Sequence, residues 1–350
     1  MTDILIRGAG LLGTSLGLAL SQTGVRTYLE DVNPSAVRTA VAMGAGSDQA
    51  CLDPQVVFVA VPPDQIAAEV AAALSRFPSA TVTDVGSVKA GPIAELTLAG
   101  ADLSRYVAGH PMAGREVSGA AAGRGDLFED RAWILTPVAD TDPDRLAQIA
   151  TLAESLHAVV RLMDPEEHDR AVALCSHAPQ VVASLLAAQL LGASASEVSV
   201  AGPGVRDTTR IAASDPGLWA QILLANADHV GVHLERFAQD VESFRAAMQQ
   251  RDAVALRDLL GRGVAGRAKL PGKHGGQAAR SVTVSVVIED APGQLAEVFR
   301  RAGEAGVNLE DVRIEHTLGR LRAIAHLMVR PESEAQLREA LTVTGWDLRG

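Results

Sequence analysis

Asp3-Ile4-Leu5-Ile6-Arg7, followed by Gly8-Ala9-Gly10-Leu11-Leu12-Gly13, joins a short β-rich apolar run to a glycine turn. The turn opens an amphipathic helix through about Leu20, a second strand runs from Val25 to Glu30, and Asp31 closes it. This is one βαβ unit. Gly8 permits the tight turn, Gly10 lets a pyrophosphate approach the backbone, and Gly13 lets the helix sit close on the sheet. The helix start at Leu11 and Leu12 offers free N–H groups and partial positive charge to phosphates. A glycine string alone would be a structural turn. Its place at the first strand, with Asp31 falling 18 positions after Gly13 to hold ribose hydroxyls, makes it a dinucleotide site.

At 350 residues the chain exceeds one average core, so two or three domains are expected. An apolar content of 47% with 21% charged residues describes an ordinary globular protein. The formal charge of −11 speaks against nucleic-acid binding, which needs a basic surface. It also means that an acidic substrate must be met by a few local Arg or Lys residues. Cys51 and Cys175 fit no metal or redox spacing and are read as small buried hydrophobes, and no metal site is expected. Met1-Thr2-Asp3 carries no basic n-region and no run of about 18 apolar residues occurs, so the expectation is a cytoplasmic protein without a membrane span.

Asn33 to Met43 reads as a helix begun by Pro34. Val56 to Val61 is a continuous apolar run, as expected of a strand buried on both faces, and Pro62-Pro63 stops it at the ligand-binding edge. Val61 and Pro62 therefore join Gly8, Gly10, Leu11, Leu12, Gly13 and Asp31 as candidate cofactor contacts. A helix from Asp64 to Leu74, a strand from Ala80 to Asp84, and strands near Tyr106 to Ala108, Ala132 to Thr136 and Ala158 to Met163 complete an α/β pattern. It predicts a Rossmann-type doubly wound sheet over residues 1–163.

Two loops here carry chemistry. In Asp84-Val85-Gly86-Ser87-Val88-Lys89, Ser87 reads as a helix N-cap. In Gly109-His110-Pro111-Met112-Ala113-Gly114-Arg115-Glu116-Val117-Ser118-Gly119, His110 directly follows a strand end on the ligand-binding edge. A lone histidine is more often structural, but its place beside a nicotinamide site favours catalysis. These two loops resemble the prephenate/arogenate dehydrogenase family of tyrosine biosynthesis. Such enzymes oxidise the ring carbinol of a cyclohexadiene with NAD(P), lose carbon dioxide and release an aromatic product. The resemblance makes His110 the catalytic histidine and puts Ser87 beside it as a hydrogen-bonding partner.

Asp164-Pro165-Glu166-Glu167 is a helix start with Asp as N-cap and Pro at the first position. His168 and His177 stand nine residues apart, about half a turn round a regular helix, so both face one ligand only if Pro179 bends it. His177, Gln180 and Ser184 share a face. The family pattern is similar here, Glu-His-Asp-Arg and then a Ser-His-x-Pro-His-like run, with Gln180 where many relatives have a second histidine. For His168 a solvated surface role and an active-site role are both open. From Pro216 the pattern runs helical to about Gln250, roughly 50 Å, with a stripe that includes Leu218, Ile222, Val232, Phe237 and Val241. So long a helix is either an oligomer seam or an intramolecular strut. The resemblance makes residues 164–261 the all-helical half that forms a homodimer, and Arg210 in Thr-Arg-Ile-Ala the grip on a substrate carboxylate. Arg206 is the fallback.

Arg262 to Arg280 contains five Arg or Lys residues, no acid and many glycines, and reads as a basic linker over 262–280. Residues 281–350 follow a βαββαβ order. Asp290-Ala291-Pro292-Gly293 and Gly306-Val307-Asn308 resemble turns of the ACT domain, a ferredoxin-like amino-acid-sensing module. The resemblance implies an aromatic amino-acid effector held by Asp290, Gly293 and Asn308, with both turns at one end of the sheet. The combined expectation is an NAD-dependent dehydrogenase of prephenate, alternatively of arogenate or another small hydroxy acid. A non-catalytic, dinucleotide-responsive regulator is the rival outside enzymes, and retention of His110, Ser87 and Arg210 together speaks against it.

Overall fold

β1 (Asp3–Arg7) is the hinge of the first sheet: it pairs in parallel with β2 (Arg26–Glu30) on one side and β3 (Val56–Val59) on the other. The computed structural model describes residues 2–270, 281–316 and 322–349. β4 (Thr81–Asp84), β5 (Tyr106–Pro111), β6 (Ala132–Thr136) and β7 (Val159–Leu162) continue the sheet in the order β2-β1-β3-β4-β5-β6-β7. Every pairing is parallel except β5 with β6. Successive side chains of a strand point to opposite faces. Ile4, Ile6 and Phe58 accordingly enter one apolar cluster, and Leu5, Val57 and Val59 the other. Each such side chain, fully buried, contributes about 1.5–3 kcal/mol. Helices α1 (Leu11–Ser21), α2 (Pro34–Ala42), α3 (Ile66–Arg76), α4 (Ala90–Leu98) and α5 (Pro143–Ser155) alternate with the strands.

Antiparallel pairing with β6 lengthens β5 beyond the expected Ala108, so His110 lies within the strand, opposite Ile134, and does not follow its end.

From Asp164 the chain is helical: α6 (Pro165–Val172), a π turn (Ala173–His177), α7 (Ala178–Gln189), α8 (Ala195–Val198), α9 (Pro203–Thr209), α10 (Pro216–Ala225), α11 (Ala227–Gln250) and α12 (Ala253–Arg267). The π turn precedes Pro179, whose ring would collide with the carbonyl of Cys175 in a regular helix. Ala173 and His177 face inward on this turn, while Cys175 is exposed, against expectation. The run Pro165–Gly192 reaches the length and mean hydropathy of a membrane span, a property passed over in the sequence, yet it carries the buried His168, Asp169, His177 and Gln180.

The continuous helix expected from Pro216 to Gln250 is broken at Asn226, whose buried side chain is held by contacts outside the helix. The basic linker, in turn, begins as helix: α12 is capped by Asp252 and runs through Gly261, Gly263 and Gly266 to Arg267, and Arg262 pairs with Asp240. Interior glycines cost about 1 kcal/mol each against alanine and do not stop a helix that is otherwise supported. Residues 271–280, which hold most of the expected linker core, lie outside the described residues, as do the expected hairpin turn at 317–320 and the first residue of the strand after it.

By its contacts the chain divides into two compact units, Met1–Ala238 and Gln239–Gly350. The second unit contains β8 (Val282–Glu289), α13 (Gln294–Glu304), β9 (Asp311–His316), β10 (Arg322–Val329), α14 (Glu334–Val343) and β11 (Leu348–Arg349). Its sheet is antiparallel throughout, in the order β11-β8-β10-β9. Val284, Val286 and Ile288 alternate inward onto Val298, Ala302, Leu337 and Leu341. One expectation fails on register. Met328 stands opposite both Thr283 and Asp311, so the Gly306–Asn308 turn that precedes Asp311 lies level with the start of β8, while Asp290 follows its end. α13 carries the chain back along β8, and the two turns lie at opposite ends of the sheet, about 20 Å apart for six residues.

Candidate active site

Gly8 has φ +105°, and a Cβ there would lie 2.3 Å from the carbonyl oxygen of Ala60, just beyond β3. A Cβ on Gly13 would lie 1.8 Å from the Gly8 oxygen. Gly10, at the N-cap of α1, would meet nothing within 4 Å. Two glycines are thus required by the fold, and the third opens a cradle in front of the first-turn amides of Leu11, Leu12 and Gly13. Asp31 accepts hydrogen bonds from the Ala9 amide (2.6 Å) and the Asn33 amide (2.7 Å), which fixes its carboxylate beside this turn. Val61 adjoins Gly8 and Pro62 follows it. The crevice lies between β1 and β3, where the strand order reverses, the usual ligand position in such sheets. These residues fit a dinucleotide.

β4 and β5 are neighbours, and a buried polar network joins their carboxyl ends. Asp84 accepts from the Tyr106 hydroxyl (2.8 Å) and the amides of Gly109 (3.1 Å) and Gly86 (2.9 Å). It is also ion-paired with Lys89, whose ammonium donates to the Gly109 carbonyl at 2.7 Å. Both ions are buried; the Asp84 carboxylate has four donors and the Lys89 ammonium two acceptors. Breaking such a pair typically costs about 3–5 kcal/mol, because an unpaired charge is left inside. Burial, then the Asp84 charge, pushes the Tyr106 hydroxyl well above its ordinary range, so it remains a donor. The network clamps the Ser87 loop against Gly109, the residue before His110.

Nδ1 of His110 lies 2.8 Å from Nε2 of His168, and the rings meet edge to face at 5.0 Å. Nδ1 of His168 lies 2.7 Å from the Asp169 carboxylate. Asp169 also accepts from the Lys89 and Ala90 amides, both at 2.9 Å, and so caps α4 from α6. Burial pushes the Asp169 carboxyl up, but the bonds from His168 and these amides outweigh it and its pKa falls. Burial first, then the nearby His168, Lys89 and His177, hold His110 well below the ordinary histidine range. It is neutral at physiological pH and competent to take a proton. His177 is lowered to about 4, chiefly by burial. Asn226 donates to the Asp169 carbonyl (2.8 Å), and its amide reaches Nδ1 of His177 at 3.0 Å, while Trp219 meets the His177 ring edge to face.

Several site expectations change on this geometry. His168 is completely buried, so its surface reading is wrong; the π turn under-winds the helix and brings His168 and His177 into one cluster. The partner of His110 is His168: no hydrogen bond joins it to Ser87. Gln180 is buried, with Nε2 3.4 Å from Ser184 and Oε1 without a partner among the described residues. Arg210 is ion-paired with Glu116 of the loop after β5, while Arg206 stands in α9. Asp169, Lys89, Asn226 and Glu116 were not singled out from the sequence. The adjacency of His168 and Asp169 behind a capped helix start was the one available signal for them.

Residues 16–162 match the family described as prephenate dehydrogenase, nucleotide-binding domain, and residues 164–262 the one described as prephenate dehydrogenase, dimerization domain. A protein named probable prephenate dehydrogenase NovF, from Streptomyces niveus, is 33% identical over 99% of both chains. The solved prephenate dehydrogenase of Aquifex aeolicus, in complex with hydroxyphenyl propionate and NAD+, is 30% identical with a TM-score of 0.68, over 76% of this chain and 97% of that one. Synechocystis arogenate dehydrogenase is 26% identical with a TM-score of 0.64, over 77% and 99%.

Proposed function

Because the chain belongs to the prephenate dehydrogenase family, we propose that it is an NAD-dependent enzyme that converts prephenate to 4-hydroxyphenylpyruvate and carbon dioxide. The observation that carries this reading is His110, buried and neutral on the carboxyl edge of the sheet that also ends in the Gly8–Ala60 crevice. Gly8, Gly10, Leu11, Leu12, Gly13, Val61 and Pro62 would hold the dinucleotide, and Asp31 its ribose. An acid there repels a 2′-phosphate, which assigns NAD over NADP. NAD, when bound, supplies the hydride acceptor.

His110 takes the proton of the ring hydroxyl as the carbinol becomes a carbonyl. The bond to the ring carboxylate then breaks, its electron pair enters the ring, and the carbonyl oxygen ends as a phenol. General base catalysis of this kind typically supplies about 10²–10⁴-fold. Arg210 grips a substrate carboxylate with its bidentate fork, after releasing Glu116. Ser87 stays a proposed site residue, on the loop that Asp84 and Lys89 hold. The exposed Leu218, Leu224, Val232 and Phe237 suit the homodimer seam implied by the dimerization domain.

A second reading, arogenate as substrate, is favoured by Gln180: its buried, unpartnered Oε1 is an acceptor suited to an ammonium group. The C-terminal sheet, by its βαββαβ order, supports an ACT-like regulatory role. The deciding experiment incubates pure protein with NAD and prephenate, then arogenate, and follows reduced nicotinamide. His110→Asn should lower kcat by about 10²-fold or more with little change in NAD affinity. Absence of turnover on both substrates would sink the proposal.

A further inference from the structure

His168 and Asp169 have no part in the reaction as written above, yet they form one buried chain with His110: His110 Nδ1 to His168 Nε2 at 2.8 Å, and His168 Nδ1 to Asp169 Oδ1 at 2.7 Å. The hydrogens in this chain follow from its far end. An ionised carboxylate only accepts hydrogen bonds, and Asp169 is kept ionised by the Lys89 and Ala90 amides that also donate to it. Nδ1 of His168 therefore carries the hydrogen. In the neutral form of His168 that is its one N–H, so Nε2 is bare and accepts. Nδ1 of His110 must then be the donor, which leaves its Nε2 bare. Among the described residues that nitrogen has no partner, and it is the one a base needs. On the proposed role of His110, we propose that His168 and Asp169 are positioning residues that fix the tautomer of His110 and take up the positive charge it gains when the substrate hydroxyl is deprotonated.

In the step itself the substrate O–H bond breaks and its proton joins Nε2 of His110. The proton on Nδ1 of His110 can then pass along the hydrogen bond to Nε2 of His168, so that the cation rests against the Asp169 carboxylate. The reverse passage returns it when the product oxygen is protonated, and no group is consumed. The other charged or titratable groups around the pair are Lys89, neutralised by Asp84, and His177, whose Nδ1 is bonded to Asn226. Neither can take the place of Asp169: Lys89 repels the cation, and His177 has no carboxylate bonded to its ring. An analogous Asp–His pair in serine proteases acts by the same tautomer control, and disturbing it there costs about 10⁴-fold in kcat.

Two measurements test the relay. Ring-nitrogen NMR of the full-length enzyme with isotope-labelled histidine, assigned with His110→Asn and His168→Gln, should show Nδ1 of His110 protonated and Nε2 bare, with no substrate present. A hydrogen on Nε2 instead overturns the proposal. In kinetics, His168→Gln should lower kcat by about 10²-fold or more, with KM within about threefold, and should displace the acid limb of the kcat–pH profile. A packing role alone would lower thermal stability and leave that limb in place, and kcat within about threefold of wild type with an unmoved limb overturns the relay. Full activity of His110→Asn would instead refute the role of His110, and the NMR result still decides the tautomer.

Discussion

The guanidinium of Arg210 is ion-paired with the carboxylate of Glu116, so the group proposed to grip the substrate is already engaged by the loop that follows β5 and His110. A substrate carboxylate that binds Nη1 of Arg210 displaces Glu116 from it. The two side chains are 65% and 36% exposed, which limits the strength of both the pair and its replacement. Arg210→Ala should therefore raise KM by about 5- to 30-fold, for about 1–2 kcal/mol of charge-assisted bonding, with kcat less affected. Glu116→Gln should lower KM, by no more than about fivefold, because an exposed pair is worth about 0–1 kcal/mol. Steady-state kinetics of the two variants check both. An unchanged KM in Arg210→Ala would pass the role to Arg206.

The buried histidines set an acid limit on stability. His177 has a pKa of about 4 in the folded chain against about 6.5 when unfolded. Above pH 6.5 both states are neutral and the group has no effect. As pH falls from 6.5 towards 4, the unfolded chain takes up a proton that the folded chain refuses, and stability is lost. The loss is about 2 kcal/mol by pH 5 and about 3 at most. His110 acts in the same direction. His177→Gln keeps an acceptor for Asn226 but does not titrate, so its urea-unfolding free energy should fall between pH 7 and pH 5 by about 2 kcal/mol less than wild type. Equal losses in the two proteins would show that His177 is not held neutral by its surroundings.

What the sequence carried plainly was local. The stretch from Asp3 to Asp31 is one contiguous βαβ unit, and the caps at Asp164 and Asp215 are written within four residues each. The contact between His110 and His168 spans 58 residues, and the clustering of His168 with His177 depends on a π turn that no apolar period announces. Asn226 breaks a helix of good periodicity because its side chain serves Asp169 and His177, a tertiary demand that overrides propensity. The opposite placement of the two C-terminal turns was legible and misread: a helix lying back along β8 returns the chain to the strand's beginning.

Gly10 and Gly13 separate a ligand cradle from a packing constraint. Gly13→Ala places a methyl 1.8 Å from the Gly8 oxygen, and the βαβ unit cannot close around it. Gly10 has φ −76°, which alanine adopts without strain, and open space where the methyl would go. Gly10→Ala should leave the melting temperature of the free protein almost unchanged while weakening NAD at least tenfold, since the methyl stands where the pyrophosphate approaches. Calorimetric titration with NAD beside thermal melts gives both numbers. Wild-type affinity in Gly10→Ala would remove the pyrophosphate from this turn.

The C-terminal unit, if it senses an amino acid, cannot do so with Asp290, Gly293 and Asn308 of a single copy. Glu289 and Asp311 lie at opposite ends of the sheet, about 20 Å apart for six residues of strand, too far for one amino acid to bridge. Two copies paired edge to edge would bring the Gly293 turn of one to the Asn308 turn of the other. Gly293 has φ +89° and opens α13; the Gln294 amide donates to the Ala291 carbonyl, so a carboxylate would meet the next first-turn amides, of Leu295 and Ala296, and Asn308 is exposed with its amide 3.3 Å from Glu310. Tyrosine or phenylalanine should then change the activity of the full-length enzyme by about 5- to 150-fold, the range of a coupling of about 1–3 kcal/mol. The response should weaken on dilution below the dimer dissociation constant. Asn308→Ala should abolish it without altering activity in the absence of effector. A tyrosine effect that persists in Asn308→Ala and competes with substrate is product inhibition at the active site. No change in kinetics or melting temperature with either amino acid would leave the C-terminal sheet a structural extension of the dimer.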